Sequence, residues 1–135
     1  AIHLLNSAED GIAQIGSWLS QYDDLSSIHI VSHGSDGAIG LGNTWLSAQN
    51  IASFEQQLNA WGLSLAESGD ILIYGCNVAE TSVGQNFIEK FSSFTDADVA
   101  ASVDETGSLQ LGGDWELEYI AASNNSRSFD ATLDI

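Results

Sequence analysis

Basic side chains are almost absent from this sequence. Lys90 and Arg127 stand against 19 aspartates and glutamates, so the formal net charge is −17. Without a basic surface a protein cannot neutralise phosphate groups, which argues against nucleic acid as a ligand. The negative charge fits solubility alone as well as attraction of cations or basic partners. No acidic loop has the spacing of a calcium-binding hand, so calcium stays open without a motif to support it, and no cofactor is predicted.

Cysteine and methionine are also scarce, and long apolar runs are missing. Cys76 is the only cysteine, so no disulfide can form within the chain. No apolar run is long enough to cross a membrane, and no signal peptide is visible. The absence of Met and the start at Ala1 indicate a processed product or a segment of a larger polypeptide. The 135 residues, 44% of them hydrophobic, suit a single domain over residues 1–135.

Two short apolar runs end abruptly in side chains that can react. Residues 28–32 lead to His33, and residues 71–75 lead to Cys76. Runs of this length, bounded by glycine and polar residues, are typical of strands buried on both faces of a parallel sheet. Such sheets bind ligands beyond the carboxyl ends of their strands, and neighbouring strands lie about 4.8 Å apart. We therefore expect His33 and Cys76 to share one cleft.

The rest of the chain alternates between helical and extended patterns. Apolar side chains at helical spacing predict three helices, and Ser7 and Ser82 resemble the starts of the first and third. Residues 68–70 are expected to separate the second helix from the strand before Cys76. In chain order, we predict a strand at 2–5, a helix at 8–21, a strand at 28–32, a hairpin at 38–46, a helix at 48–66, a strand at 71–74, a helix from 82, a strand at 99–101 and an antiparallel strand at 115–120. This order predicts an α/β three-layer sandwich with a mostly parallel sheet flanked by helices.

The two side chains at the strand ends form a candidate nucleophile and base. The imidazole of His33 can take a proton near neutral pH, and the thiol of Cys76 needs such a partner to become a thiolate. The backbone N–H groups of Gly34 and Cys76 are candidates for an oxyanion hole. Two alternatives stay open. His33 can be a structural histidine whose hydrogen bonds are satisfied at a strand end, and Cys76 can be an inert core cysteine. His29, between two isoleucines, is expected to be buried and structural, and His3 is given no role.

Other catalytic and metal-binding patterns are missing. There is no Gly-x-Ser-x-Gly elbow, because His33 occupies the first glycine position before Ser35, and no phosphate loop ends in Gly-Lys. A zinc site would need three or four ligands. No helpful spacing connects the candidates His29, His33, Cys76 and Asp36. No metal site is therefore predicted.

An apolar strand ending in Ser-His-Gly, followed by a second ending in Gly-Cys, resembles the caspase–gingipain–clostripain group of cysteine peptidases. The chain is still more similar to an uncharacterised bacterial domain that occurs near the N-terminus of very large, acidic, repeat-rich surface proteins and adhesins. The resemblance covers nearly the whole chain. The segments that carry it are 28–35 (IHIVSHGS), 40–42 (GLG), 71–79 (ILIYGCNVA), 98–102 (DVAAS) and 113–117 (GDWEL).

This resemblance implies a caspase-like fold with His33 as the base and Cys76 as the nucleophile. It also implies a secreted or cell-surface location. The implied activity is that of a cysteine endopeptidase, acting on a polypeptide substrate such as its own parent chain. The alternative is a non-catalytic adhesin or assembly module that keeps the fold for recognition.

Two further expectations concern partners and specificity. Members of that bacterial domain carry one more strand before the segment matching residues 2–5, so an open sheet edge is expected to recruit a strand in a homo-oligomer or fibre. Asp104 and Asp36 are expected at the two walls of the cleft. There they would bind a basic substrate side chain just before the cut bond, as pocket acids do in relatives of this group. The alternative for Asp104 is that it caps the turn Asp-Glu-Thr-Gly.

Overall fold

The computed structural model describes residues 1–104 and 116–122. The elements are α1 (Gly11–Leu19), β1 (Leu25–Val31), β2 (Gly34–Ser35), β3 (Ala38–Leu41), β4 (Thr44–Ser47), a 3-10 helix (Ile51–Phe54), α2 (Glu55–Leu63), β5 (Leu65–Tyr74), α3 (Ser82–Thr95), β6 (Asp98–Ala101) and β7 (Tyr119–Ala121). Within these ranges, no helix has the length and apolar character needed to span a membrane.

The strands of the described residues form a four-stranded sheet and a separate three-stranded sheet. The larger sheet has the order β1-β5-β6-β7, in which β5 is parallel to β1 and β6, and β7 is antiparallel to β6. The smaller sheet, β2-β3-β4, is antiparallel and contains the predicted hairpin. The crossovers through α2 and α3 return the chain for parallel pairing. The predicted α/β sandwich, with a mostly parallel sheet flanked by helices and an antiparallel C-terminal strand, is confirmed. The strand predicted at 115–120 is shorter, because β7 covers Tyr119–Ala121, and residue 115 lies outside the described residues.

The main core contains side chains of α1, α2 and α3, of one face of the larger sheet and of the smaller sheet. Alternation along β5 divides its side chains: Ile71 and Ile73 join the helices, whereas Leu72 and Tyr74 belong to a second cluster with Leu117 on the opposite face. The helices contribute Ile12, Ile15, Leu58, Trp61, Phe87 and Phe91 to the main core. The strand before Cys76 is therefore buried on both faces, as its apolar run predicts.

β1 lies at an edge of the described sheet and is buried on one face only. Ile30 packs in the main core, but Val31 is 64% exposed. The expectation that His29 is buried is wrong, because this side chain lies on the exposed face of the edge strand. Its imidazole stacks parallel to Tyr74 with 5.9 Å between ring centroids, and its Nε2 lies 3.1 Å from the Ser27 hydroxyl.

The N-terminal segment does not form the strand predicted at residues 2–5. His3 stacks on Trp18 with 4.6 Å between ring centroids, and its Nε2 lies 3.2 Å from the Tyr22 hydroxyl. Leu5 packs partly against the main core. These contacts hold the segment against α1 and the residues that follow it. Residues 2–5 are apolar enough for a strand, but they pack beside a helix, and no strand of the described residues pairs with them.

Side-chain caps set the starts of two helices. The carboxylate of Asp10 accepts a hydrogen bond from the Ile12 N–H at 2.9 Å, so α1 begins directly after Asp10 and later than Ser7 predicts. The third helix is confirmed, but Ser82 is its first residue and not its cap, because the N-cap is the preceding Thr81. The sequence predicts that these two segments are helices, but it does not predict which of the neighbouring polar residues is the cap.

β5 is longer than predicted. It runs over Leu65–Tyr74, so residues 68–70 lie inside the strand and do not form a separate loop. The pairing with β1 shifts register between Leu25 and Ser27, which accommodates the extra residues as an irregularity in the strand. The helix before it consequently ends at Leu63, earlier than predicted.

Candidate functional site

His33 and Cys76 lie at the same edge of the larger sheet. β1 and β5 run parallel with Val31 paired to Tyr74, and each of the two predicted site residues follows its strand by two positions. The Ser32 N–H donates to the Tyr74 carbonyl at 3.1 Å, which continues the pairing past the end of β1. His33 is exposed and Cys76 is half-buried. The structure thus brings the two residues to the carboxyl edge, where α/β sheets bind ligands.

The main chains of the two strand ends approach closely at Gly34 and Gly75. A Cβ atom on Gly34 would lie 3.0 Å from the Cys76 carbonyl oxygen and 2.6 Å from Cγ2 of Val78. A Cβ atom on Gly75 would lie 3.3 Å from the Cα of Gly34. Because glycine has no side chain, the segments that follow β1 and β5 can approach within van der Waals contact. Gly34, the predicted third member of the site, is therefore directly beside Cys76.

The segment after Cys76 turns sharply and is tied to the end of β6. Asn77 has a left-handed backbone with φ of 60°, a conformation that Asn adopts more readily than most residues. Its N–H donates to the Asp104 carbonyl at 2.8 Å, and the Ala79 N–H donates to the Ser102 carbonyl at 2.9 Å. Asp104 therefore lies beside the Cys76 segment.

The carboxylate of Asp104 is exposed and has a local partner. Its Oδ1 accepts a hydrogen bond from the Ser102 hydroxyl at 2.9 Å. The rest of the turn Asp-Glu-Thr-Gly, which Asp104 is alternatively predicted to cap, lies outside the described residues. A second carboxylate, that of Glu118, accepts the Val103 N–H at 3.1 Å at the same end of the sheet. The sequence pattern did not single out Glu118. Binding of a substrate by Asp104 stays a prediction.

Asp36 is bound to the start of α3. Its Oδ1 accepts from the Thr81 N–H at 2.9 Å and from the Gly84 N–H at 3.1 Å, and its Oδ2 accepts from the Thr81 hydroxyl. Burial raises the pKa of this carboxyl, but the hydrogen bonds from Thr81 and Gly84 outweigh burial and hold the pKa below its ordinary value. Both oxygens are thus engaged within the protein. A contact of Asp36 with substrate stays a prediction.

A family model covers almost the whole of this sequence. It is described as "Domain of unknown function (DUF4347)" and matches residues 1–133. The chain belongs to this family. No curated protein and no solved structure matches it. Membership of the DUF4347 family agrees with the resemblance to an uncharacterised domain and names no activity.

Away from the carboxyl edge, metal ligands and cavities of this DUF4347 domain are the features to compare with the predicted site. In residues 1–104 and 116–122, no group of three or more His, Cys, Asp or Glu side chains could hold a metal ion. A surface cavity of about 400 Å³ lies between the ends of α2 and α3 and the start of β5. None of the predicted site residues lines this cavity. The residues that can react are instead at the carboxyl edge.

Besides Glu118, two residues that bind Asp36 were not singled out from the sequence. Thr81 immediately precedes the predicted helix start, and Gly84 is a helix-disfavouring residue in the first turn, so each carried a weak local signal. Their shared partner, Asp36, lies 45 positions before Thr81 and 48 before Gly84. Local patterns cannot identify such a partner, because the contact depends on how the strands are ordered in the sheet.

Proposed function

We propose that this domain is a cysteine endopeptidase in which Cys76 is the nucleophile and His33 is the general base. The observation that carries the proposal is the parallel pairing of β1 with β5, in which Val31 lies opposite Tyr74. His33 and Cys76 each follow two residues later, so both lie at the same edge of the sheet. The close approach of Gly34 to the main chain of Cys76 adds support. A thiol and an imidazole at one site are the groups that acyl transfer through a thioester needs.

In the proposed reaction, the Cys76 thiol gives its proton to the His33 imidazole, and the thiolate attacks the carbonyl carbon of a peptide bond. The resulting oxyanion accepts a hydrogen bond from the main chain, for which the Gly34 N–H is the proposed donor. When the carbon–nitrogen bond breaks, the imidazolium returns the proton to the leaving amine. Water then loses a proton to the imidazole and attacks the thioester, which releases the acid and restores the thiol.

The proposed substrate is a polypeptide, and the parent chain is the first candidate because the resemblance is to a domain of very large surface proteins. The same resemblance supports a secreted or cell-surface location. Asp104 is the proposed contact for a basic side chain before the cut bond, because the residue is exposed and its main-chain carbonyl accepts from the N–H of Asn77, the residue after Cys76. The net charge of −17 would favour the approach of basic peptides.

Alkylation of the thiol tests this proposal. An ordinary thiol is only a few per cent ionised at neutral pH, so a neighbouring base should speed the reaction of Cys76 with iodoacetamide by about tenfold. We expect His33→Ala to lose this gain and His29→Ala to keep it. Because Cys76 is the only cysteine, the mass of the alkylated protein reports on this site alone. Equal alkylation rates in wild type and His33→Ala would contradict the pairing of His33 with Cys76 as a catalytic dyad.

A second candidate function is assembly through the outer edge of β1. Among the residues that the structure describes, no strand pairs with that edge. Residues 25–35 contain no Asp, Glu, Lys or Arg, and Val31 on this strand is 64% exposed. Unpaired strand edges without charged side chains recruit further strands. The proposed partner is a second copy of the chain, in a homo-oligomer or a fibre.

A lysine on this edge should prevent such assembly. We expect the wild type to associate at micromolar concentration and Val31→Lys to remain monomeric, because charged side chains on edge strands oppose pairing. Leu63→Lys is the matched control, since it makes the same change in net charge at an 83% exposed site at the end of α2. Light scattering measures the outcome. A monodisperse wild-type monomer would argue against the assembly function.

A further inference from the structure

The carboxylate of Asp36 joins the two segments that carry the proposed dyad of His33 and Cys76. The His33 segment is residues 33–37, after β1, and the Cys76 segment is residues 76–84, after β5. Asp36 lies three residues after His33, and Thr81 lies five residues after Cys76. Three hydrogen bonds connect these segments through one carboxylate: two come from Thr81 and one comes from Gly84. Asp36 and Thr81, which are 45 positions apart in the sequence, are therefore in direct contact.

Capping of α3 is not enough to explain this arrangement. The helix already has a local cap, because the Thr81 hydroxyl accepts from the Val83 N–H at 3.3 Å. For α1, the corresponding cap is likewise local and comes from Asp10. Asp36 adds contacts from a different part of the chain. What these contacts contribute beyond the cap is a fixed position of the His33 segment relative to the start of α3.

Other close contacts hold the same two segments together. The Gly37 N–H, one residue after Asp36, donates to the Val78 carbonyl at 2.9 Å. A Cβ atom on Gly84 would lie 2.4 Å from Oδ1 of Asp36 and 2.1 Å from the Val78 carbonyl oxygen. The first turn of α3 thus fits against Asp36 and Val78 only because residue 84 has no side chain. The Asp36 carboxylate therefore lies where the two segments pack closely against each other.

We infer that Asp36 is a positioning residue, which holds the His33 segment against the Cys76 segment so that the imidazole stays within reach of the thiol. This inference rests on the proposed peptidase function. A carboxylate suits the task, because it accepts several hydrogen bonds at once and carries a negative charge at the N-terminal end of a helix. A neutral side chain without acceptors would leave the donors of Thr81 and Gly84 without this partner.

Thiol alkylation and peptide turnover, measured on the same variants, test the inference. We expect Asp36→Ala to lose most of the rate advantage that His33 gives to the Cys76 thiol. Its kcat should fall by about tenfold to a hundredfold with KM little changed, because misplacement of reacting groups by about 1 Å has effects of this size. Asp36→Asn should rescue both readouts, since its oxygen accepts from both N–H groups and its amide donates to the Thr81 hydroxyl.

Asp10→Ala is the matched control, because it removes the N-cap of α1, a helix that carries neither member of the dyad. We expect Asp10→Ala to lower the Tm without slowing alkylation. Equal alkylation rates in Asp36→Ala and Asp10→Ala, with a slow His33→Ala variant, would overturn the positioning role and leave the dyad standing. An unchanged rate in His33→Ala would overturn the dyad and, with it, the positioning role.

A second variant covers the case in which Asp36→Ala does not fold. Thr81→Ala removes the hydroxyl that binds Oδ2 of Asp36 and also removes the local cap of α3, while the two backbone donors remain. We expect Thr81→Ala to slow alkylation of Cys76 more than Asp10→Ala does. The same alkylation rate in both cap variants would overturn the inference.

Discussion

Replacement of Cys76 by alanine should abolish peptide cleavage, and replacement of His33 by alanine should lower kcat/KM by about 10²- to 10⁴-fold, the usual contribution of a general base. The first variant removes the only sulfur nucleophile of the chain. The second leaves the thiol but removes the group that would take its proton. His29→Ala is the control, because this histidine lies within β1, faces away from the main core and packs on Tyr74.

Fluorogenic peptides that differ only in Arg or Asp before the leaving group measure both cleavage and preference. We expect the wild type to prefer Arg, and Asp104→Ala to reduce this preference with less effect on turnover of the Asp peptide. Wild-type turnover in His33→Ala would contradict a role as general base. Preference for the Asp peptide, or an unchanged Arg preference in Asp104→Ala, would contradict the proposed contact with a basic side chain.

Replacement of Gly84 by alanine should destabilise the fold, although alanine normally favours helices. The added Cβ would lie 2.1 Å from the Val78 carbonyl oxygen and 2.9 Å from the Cα of Ala79, so α3 must move away from the segment that follows Cys76. Such overpacking costs about 1–3 kcal/mol. The shift also weakens the hydrogen bond from the Gly84 N–H to Asp36, so alkylation of Cys76 should slow as well.

Gly16→Ala is the matched control for this substitution. Gly16 is also a helical glycine, in α1, but a Cβ there would lie 3.5 Å from Nε1 of Trp61, which is an ordinary contact distance. We expect this variant to be more stable than wild type by about 0.5–1 kcal/mol, the normal gain of alanine over glycine in a helix. Denaturant unfolding measures both values. Stabilisation by both substitutions would contradict the close approach at Gly84.

Local patterns predicted those parts of the fold whose signal lies within a few neighbouring residues. The apolar run at residues 71–74 is a strand buried on both faces, because a central strand has a neighbour on each side and clusters on both faces. The presence of α3 was predictable to within one residue of its start, because polar residues precede a run of apolar side chains at helical spacing. The same type of pattern was misleading at residues 28–32, where the strand lies at an edge.

Contacts between distant residues account for the predictions that were wrong. His29 has the apolar neighbours of a buried residue, but strand order places it on the exposed face of an edge strand. Residues 2–5 are apolar enough for a strand, but stacking of His3 on Trp18 holds them against a helix. The triplet 68–70 has the composition of a loop and lies in a strand, because pairing with β1 accommodates it. None of these neighbours is visible in a window of sequence.

The sequence by itself determined that an imidazole and a thiol follow two apolar strands, because strand ends are marked by local composition. It also determined that the carboxyl edge of a parallel sheet is where both residues lie, since helical crossovers make the two strands run the same way. Only the tertiary structure decided that the strands are neighbours in register, and that Gly34 contacts the main chain of Cys76. It alone decided that Asp36 binds Thr81 and does not lie free in its loop, because that contact exists only when the sheet brings two segments together.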